Sequence, residues 1–197
     1  MLINYQEIRS VDLSHLVSEI SRIDHKSLII GKPGDEHYPL LAYLSSQISN
    51  GLIVELGTHE GTSSVALCNN KSNKVVTYDI RNLFTAKQPE NLERVLGNIF
   101  DLDPSIMLKA DLIFIDTAHT GEFERQVYNY LVENNYKGVT VWDDIHWSRE
   151  MIAFWNELPE ESKYDITDIG HGGGRGPLGN ISGTGIIDFS SKVRIIK

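Results

Sequence analysis

Apolar residues recur along this chain with two periods, and their succession predicts its architecture. Over residues 5 to 24, Ile8, Val11, Leu13, Leu16, Val17, Ile20 and Ile23 stand among polar neighbours at roughly helical spacing, which predicts an N-terminal helical region. After a turn at Gly31-Lys32-Pro33-Gly34, the segment from Tyr38 to Ile48 reads as a second helix. Short runs rich in β-branched and aromatic residues then predict strands at 52–56, 75–79, 94–97, 111–115, 138–142, 164–169 and 184–189. Segments of helix length fall at 62–70, 87–94, 121–134 and 148–157. Strands alternating with helices predict an α/β protein built on a doubly wound, mostly parallel sheet. The last two strands are separated only by a glycine-rich stretch, too little for a crossover helix, so they are expected to form an antiparallel hairpin. No internal repeat or linker interrupts the pattern, and a single domain over 1–197 is expected, with the helical region at 1–50.

The junction Ile53-Val54-Glu55-Leu56-Gly57-Thr58-His59-Glu60-Gly61-Thr62-Ser63-Ser64 carries the clearest chemical signal. A buried strand runs into a glycine turn and then a helix, with Thr62, Ser63 and Ser64 where a helix N-cap is wanted. Its spacing, Glu-x-Gly-x-x-x-Gly, lacks the second glycine that lets a pyrophosphate approach in nicotinamide-binding folds; His59 stands there instead. That disfavours an NAD-dependent oxidoreductase and favours a ligand with a carboxylate at the helix N-terminus. About 20 residues on, as a ribose-binding acid requires, Val75-Val76-Thr77-Tyr78 ends in Asp79. Together the two elements suggest an adenosine ligand.

On these residues the chain, roughly from His37 onward, resembles the class I S-adenosylmethionine-dependent methyltransferases, and among them the metal-dependent O-methyltransferases related to catechol O-methyltransferase. The resemblance implies a seven-stranded sheet of Rossmann-like methyltransferase type with a C-terminal antiparallel hairpin. It also implies S-adenosyl-L-methionine as cofactor: Glu55 and Ser63 at the methionine amino and carboxylate ends, Gly57 and Gly61 in the turn, and Asp79 on the ribose. Thr58, His59 and Asn98 complete the candidate cofactor set.

In an open α/β sheet ligands bind beyond the carboxyl ends of the strands. One predicted strand ends in Asp116-Thr117-Ala118-His119 and another in Asp143-Asp144-Ile145-His146. If those strands are neighbours, three carboxylates meet at the mouth of the sheet. Such a cluster calls for a cation, and all-oxygen ligation suits Mg2+, or Mn2+ in its place. Asp116, Asp143 and Asp144 match the metal positions of the resembling family, in which the last is Asn in the catechol enzymes; Asp144 makes this site more anionic. The catechol enzymes place a Lys base three residues after the first metal-binding Asp, and this chain has His119 there. The pattern Asp-x-x-His followed by paired acids looks more like the sugar O-methyltransferases of macrolide biosynthesis. Asp116 and His119 are therefore the candidate catalytic residues, His119 as general base or, in the alternative, as a hydrogen-bonding partner of a metal ligand. Trp142 lies in strand register and reads as core, and His146 is a weaker metal or substrate candidate. His37-Tyr38 reads equally as a helix cap or a substrate contact. The loop Gly170 to Asn180, with six glycines, His171 and Arg175, reads as a lid or as a hairpin tip.

Composition narrows the partners. A net charge of -9 with scattered basic residues argues against nucleic acid or an anionic membrane surface, and no run reaches the ~20 apolar residues of a membrane span. The lone Cys68 forms no intrachain disulfide and reads as core filler. With no charged-then-apolar leader, a cytoplasmic protein is expected. The expected partner is a small-molecule substrate, a sugar, a phenol or another hydroxylated compound, with a homo-oligomer left open. The activity read from these residues is a metal-assisted O-methyltransferase; the alternative is a non-catalytic S-adenosylmethionine- or nucleotide-binding module.

Overall fold

A computed structural model of the chain describes residues 1–21, 37–169 and 182–197. The elements run β1 (Leu2–Asn4), α1 (Tyr5–Arg9), α2 (His37–Ser46), β2 (Leu52–Leu56), α3 (Thr62–Leu67), β3 (Lys74–Asp79), β4 (Leu92–Leu96), β5 (Leu112–Ile115), α4 (Glu122–Glu133), β6 (Val139–Asp143), α5 (Arg149–Glu157), β7 (Lys163–Asp165), β8 (Thr184–Asp188) and β9 (Arg194–Ile196). Short 3-10 helices intervene, among them Ser14–Glu19, Ile99–Asp101, Pro104–Lys109 and Thr167–Ile169.

The main sheet has seven strands in the order β4-β3-β2-β5-β6-β8-β7. The first five are mutually parallel; β8 runs antiparallel to both β6 and β7, which is the expected hairpin. Strand order reverses between β2 and β5, so the crevice of a doubly wound sheet opens there. Successive side chains of the central strands enter different cores. Ile53, Leu112, Phe114 and Val141 join the cluster that holds α2 and α3, while Val54, Ile113, Ile115 and Trp142 join the one that holds Val127, Leu131, Phe154 and Trp155. Burial on both faces explains why these strands read as continuous apolar runs rather than alternating ones. Trp142 is core, with its indole N–H donating to Thr140 Oγ1 at 2.6 Å, and buried Cys68 fills the α2–α3 core as read.

Three expectations are corrected, and one pairing is new. The helix expected over 5–24 is α1 followed by a 3-10 turn, because Ser10 Oγ donates to the Glu7 carbonyl at 2.7 Å and Asp12 accepts the Ser14 N–H at 2.8 Å; these local bonds compete with helix continuation. Its last part, with Ile23, lies outside the described residues. The helix expected at 87–94 is absent: beyond Pro89, the Asn91 amide is tied to the carbonyls of Asn70 and Asn73, and the chain enters β4 two residues earlier than expected. The strand expected at 164–169 stops at Asp165, whose carboxylate accepts from both the N–H (3.0 Å) and the hydroxyl (2.6 Å) of Thr167 and turns the chain into a 3-10 helix. Finally, β1 pairs in parallel with β9, joining the two ends of the described chain in a second, two-stranded sheet that no local signal foretold. The turn Gly31–Gly34 and the glycine-rich loop, with His171 and Arg175, lie outside the described residues.

Candidate active site

A cavity of 810 Å³ opens at the carboxyl ends of β2, β3, β4, β5 and β6. At its centre the chain leaves β2 through Gly57, whose φ of 98° is open to glycine and whose added Cβ would lie 1.6 Å from the Asp116 carbonyl oxygen. Glycine is required because the ends of β2 and β5 touch there. Gly61, with φ 91°, closes the turn as the N-cap of α3. Gly61 itself takes the N-cap place expected of the hydroxyl residues, and the Ser64 hydroxyl donates to Glu55, in the buried floor.

Glu55 is fully buried and lies below the cavity rather than in its lining. Burial pushes its carboxyl up to about 7, the Ser63, Ser64 and Thr77 hydroxyls pull it down, and the Asp116 charge adds to the rise. Through the Ser64 hydroxyl, Glu55 anchors α3 under the turn. Thr58 makes a similar anchor, its hydroxyl 2.6 Å from that of Thr77. At the end of β3, Asp79 accepts the backbone N–H of His59 through Oδ2 and that of Arg81 through Oδ1, both at 2.8 Å. One carboxylate thus spans the mouth between the β2 and β3 loops, and it lines the cavity while keeping lone pairs beyond those two bonds. Asn98 caps the following 3-10 turn through the Phe100 N–H at 3.0 Å and faces the same space, as do Gly57, Thr58, His59, Gly61 and Ser63.

The opposite end of the cavity is acidic. Neighbouring strands β5 and β6 bring Asp116 and Asp144 to either side of His119, whose Nε2 lies 3.3 Å from Asp116 Oδ1 and 3.3 Å from Asp144 Oδ2. Burial works against protonation of this imidazole, but the Asp116 hydrogen bond and the charges of Asp116, Asp144 and Glu124 outweigh it, and its pKa stands above 6.5. Burial and the Asp116 charge raise the Asp144 carboxyl, against the pull of His119 and Ser182. Asp143, at the end of β6, also lines the cavity. His146 is turned away, paired with Asp165 at 2.8 Å, and does not join the acids. His37 and Tyr38, their rings 3.9 Å apart, close the side of the cavity at the start of α2.

Two carboxylates that converge on one point suit a cation there. In this arrangement the cation's place is taken by the His119 imidazole, and among the described residues no group of three or more His, Cys, Asp or Glu side chains adopts metal-binding geometry. The donor set is nevertheless the all-oxygen kind that Mg2+ takes.

Solved structures share this fold. Cofactor-bound Rv0187 from MTB is similar over 90% of this chain and 86% of that one, with TM-score 0.59 and 18% identity. The SAH-bound methyltransferase PaMTH1 of Podospora anserina is similar over 85% and 82%, with TM-score 0.56 and 12% identity. The O-methyltransferase TomG from Streptomyces achromogenes, in complex with SAM, is similar over 93% and 98%, with TM-score 0.55 and 15% identity. This is the Rossmann-like methyltransferase fold. No protein-family model and no curated protein matches the chain. At such identities the likeness fixes the methyltransferase fold and leaves chemistry to the site.

Several lining residues escaped the sequence reading: Ile80, Arg81, Ile99, Thr117 and Phe123. Ile80 and Arg81 directly follow Asp79, so the strand-end rule applied two residues further would have found them. Glu124, buried behind Thr117 and His119, carries no such signal.

Proposed function

We propose that this protein is an S-adenosylmethionine-dependent O-methyltransferase acting on a hydroxyl of a small molecule. One observation carries the reading: a single 810 Å³ cavity holds at one end the glycine turn and Asp79, and at the other a histidine between two carboxylates. That volume lies in the range of ligand pockets, ~300–1,000 Å³. Asp79 would accept the ribose hydroxyls, and Gly57, Thr58, His59 and Gly61 would admit the methionine part against the backbone, with Ser63 at its carboxylate. When bound, S-adenosylmethionine supplies a methyl group on a sulfonium.

The acceptor end does the proton chemistry. Nε2 of His119 lies between Asp116 and Asp144, and when the imidazole is neutral that nitrogen would receive the proton of the acceptor hydroxyl. The neighbouring carboxylates favour the imidazolium that results. Asp116, Asp143 and Asp144 would hold Mg2+ or Mn2+ in place of the two His119 contacts, and when bound the ion would lower the pKa of a hydroxyl beside it. A sugar or a phenol meets these requirements equally. Positioning of the acceptor against the cofactor supplies much of the expected rate gain.

Calorimetric titration of the protein with S-adenosylhomocysteine, with and without Mg2+, tests the reading. Binding is expected in both, and NAD is expected to bind more weakly. Absence of S-adenosylhomocysteine binding, or tighter binding of NAD, overturns the proposal.

A further inference from the structure

We infer that Glu124 is a positioning residue for His119, a clamp that holds the Asp116–His119 turn in the one conformation that brings the imidazole between Asp116 and Asp144. Its bearing on catalysis rests on the methyltransferase reading; its bearing on geometry does not.

The clamp is built from four observations. Glu124 lies in the first turn of α4 and is 1% exposed. Its Oε1 accepts two hydrogen bonds from the same turn, one from the Thr117 hydroxyl at 2.8 Å and one from the His119 backbone N–H at 3.2 Å. Its other oxygen, Oε2, is buried with no hydrogen-bond partner among the described residues, so both bonds that anchor the side chain go to this turn. His119 itself has φ 53°, a left-handed conformation that a residue with a Cβ adopts only when its surroundings over-determine it.

The physical logic follows from burial. A carboxyl group taken out of water is retained only where donors meet it, and here the donors are the turn's own hydroxyl and N–H. Gly121, the N-cap of α4, carries no side chain of its own to meet them. On the far side, the Ser148 hydroxyl donates to the His119 carbonyl at 3.0 Å, so both peptide groups of His119 are fixed. Rotating His119 out of φ 53° would break the Glu124 bond and withdraw Nε2 from at least one of its two carboxylates.

Crystal structures of Glu124→Ala, Glu124→Gln and Thr117→Val, each soaked with S-adenosylhomocysteine, test the clamp. In Glu124→Ala, His119 is expected to leave the left-handed region and to lose contact with Asp116 or Asp144. Glu124→Gln keeps an amide oxygen able to accept both bonds and is expected to restore the wild-type position. Thr117→Val removes one of the two bonds and carries the test if Glu124→Ala does not fold; its His119 ring is expected to show weakened density or a second rotamer. An unchanged His119 in Glu124→Ala, or in Thr117→Val should that variant alone be stable, overturns the inference. Failure of Gln to rescue overturns it too, since the role would then be charge alone. Calorimetry on the two Glu124 variants is expected to give S-adenosylhomocysteine affinities within twofold of wild type. If the wild-type protein fails to bind this ligand at all, the methyltransferase reading falls while the His119 geometry still decides the clamp.

Discussion

Removing the Asp79 carboxylate should weaken cofactor binding and loosen the empty site by amounts that can be separated. In Asp79→Ala, the N–H groups of His59 and Arg81 lose acceptors at 2.8 Å each. Both bonds are solvent-accessible, so water takes over in part, and each is worth about 0.5–1.5 kcal/mol. Their joint loss, about 1–3 kcal/mol, lowers the melting temperature of a domain this size by roughly 2–12 °C at about 2–4 °C per kcal/mol. Cofactor binding loses a separate contribution, because the ribose hydroxyls lose a charged acceptor worth about 1.5–3 kcal/mol, or roughly 10- to 150-fold in affinity. The freed His59 loop, held at φ 44°, must also be reordered by the ligand. Asp79→Asn keeps one acceptor oxygen but turns an amide toward the other N–H, and it should fall between wild type and Ala in both quantities.

Calorimetry with S-adenosylhomocysteine and a thermal melt of the free protein give the two numbers. A melt that drops while affinity stays within twofold of wild type would mean that Asp79 only ties the two loops together, and the ribose assignment would be lost. An unchanged melt would refute the account of the loop contacts instead.

Three other outcomes are expected. Mg2+ or Mn2+ at a hundred times its dissociation constant should stabilise the fold by about 2.7 kcal/mol, and the Asp116→Asn/Asp144→Asn double variant should abolish the rise; a wild-type melt indifferent to these ions and to a chelator removes the metal from the proposal. His119→Ala should cut turnover by about 10²- to 10⁴-fold while leaving S-adenosylhomocysteine affinity nearly intact. Because the folded His119 pKa lies above 6.5 and the neutral imidazole is the base, wild-type turnover should rise with pH through that raised value. The stability His119 contributes should be full below its unfolded pKa and lost over the same rise; a pH profile without that inflection, or near wild-type turnover in the variant, returns His119 to a structural role. Glu55, at about 7 when folded against 4.5 as a free side chain, holds its proton longer in the folded state, so wild-type stability should decline as pH climbs from 4.5 to 7. Denaturant midpoints at about pH 5 and pH 8 should differ less in Glu55→Gln than in wild type, and equal slopes in the two proteins would show that Glu55 ionises freely.

What was legible in the sequence was what a local pattern encodes. The runs Ile53–Leu56 and Leu112–Ile115 are apolar at every position but Glu55 because both faces of the sheet are covered, and the acids that follow such strands fall at the ligand-binding edge wherever the strands pair in parallel. Gly57 was legible because no other residue fits 1.6 Å from a carbonyl. The misreadings arose where short polar side chains override a periodic pattern: Ser10 and Asp12 interrupt the first helix, and Asp165 with Thr167 ends β7. The β1–β9 pairing stayed hidden because it joins segments some 190 residues apart, which no local pattern links. His146 resembled a ligand by its spacing from Asp144, but the strand that supplies its partner, Asp165, comes from elsewhere in the chain.

The site's backbone strain, in contrast, leaves no trace in composition, and its distribution explains how the cavity keeps its shape. His59, His119 and Asp144 have φ of 44°, 53° and 58°, and all three line the cavity. Each conformation costs of order 1–3 kcal/mol unless neighbours enforce it. Two of the three are enforced in the same way: the N–H of His59 goes to Asp79, and that of His119 goes to Glu124. The third is fixed from the carboxyl side, where the Trp147 N–H returns to the Asp144 carbonyl at 2.8 Å and the N–H of His146 reaches the Ser182 carbonyl at 2.7 Å. A carboxylate therefore braces a left-handed histidine at each end of the cavity, Asp79 near the glycine turn and Glu124 behind the acidic end. Asp79 was found because it ends a strand. Glu124 was not, because a helical glutamate that reaches back five residues looks in sequence like any solvated first-turn acid, and only its burial separates the two.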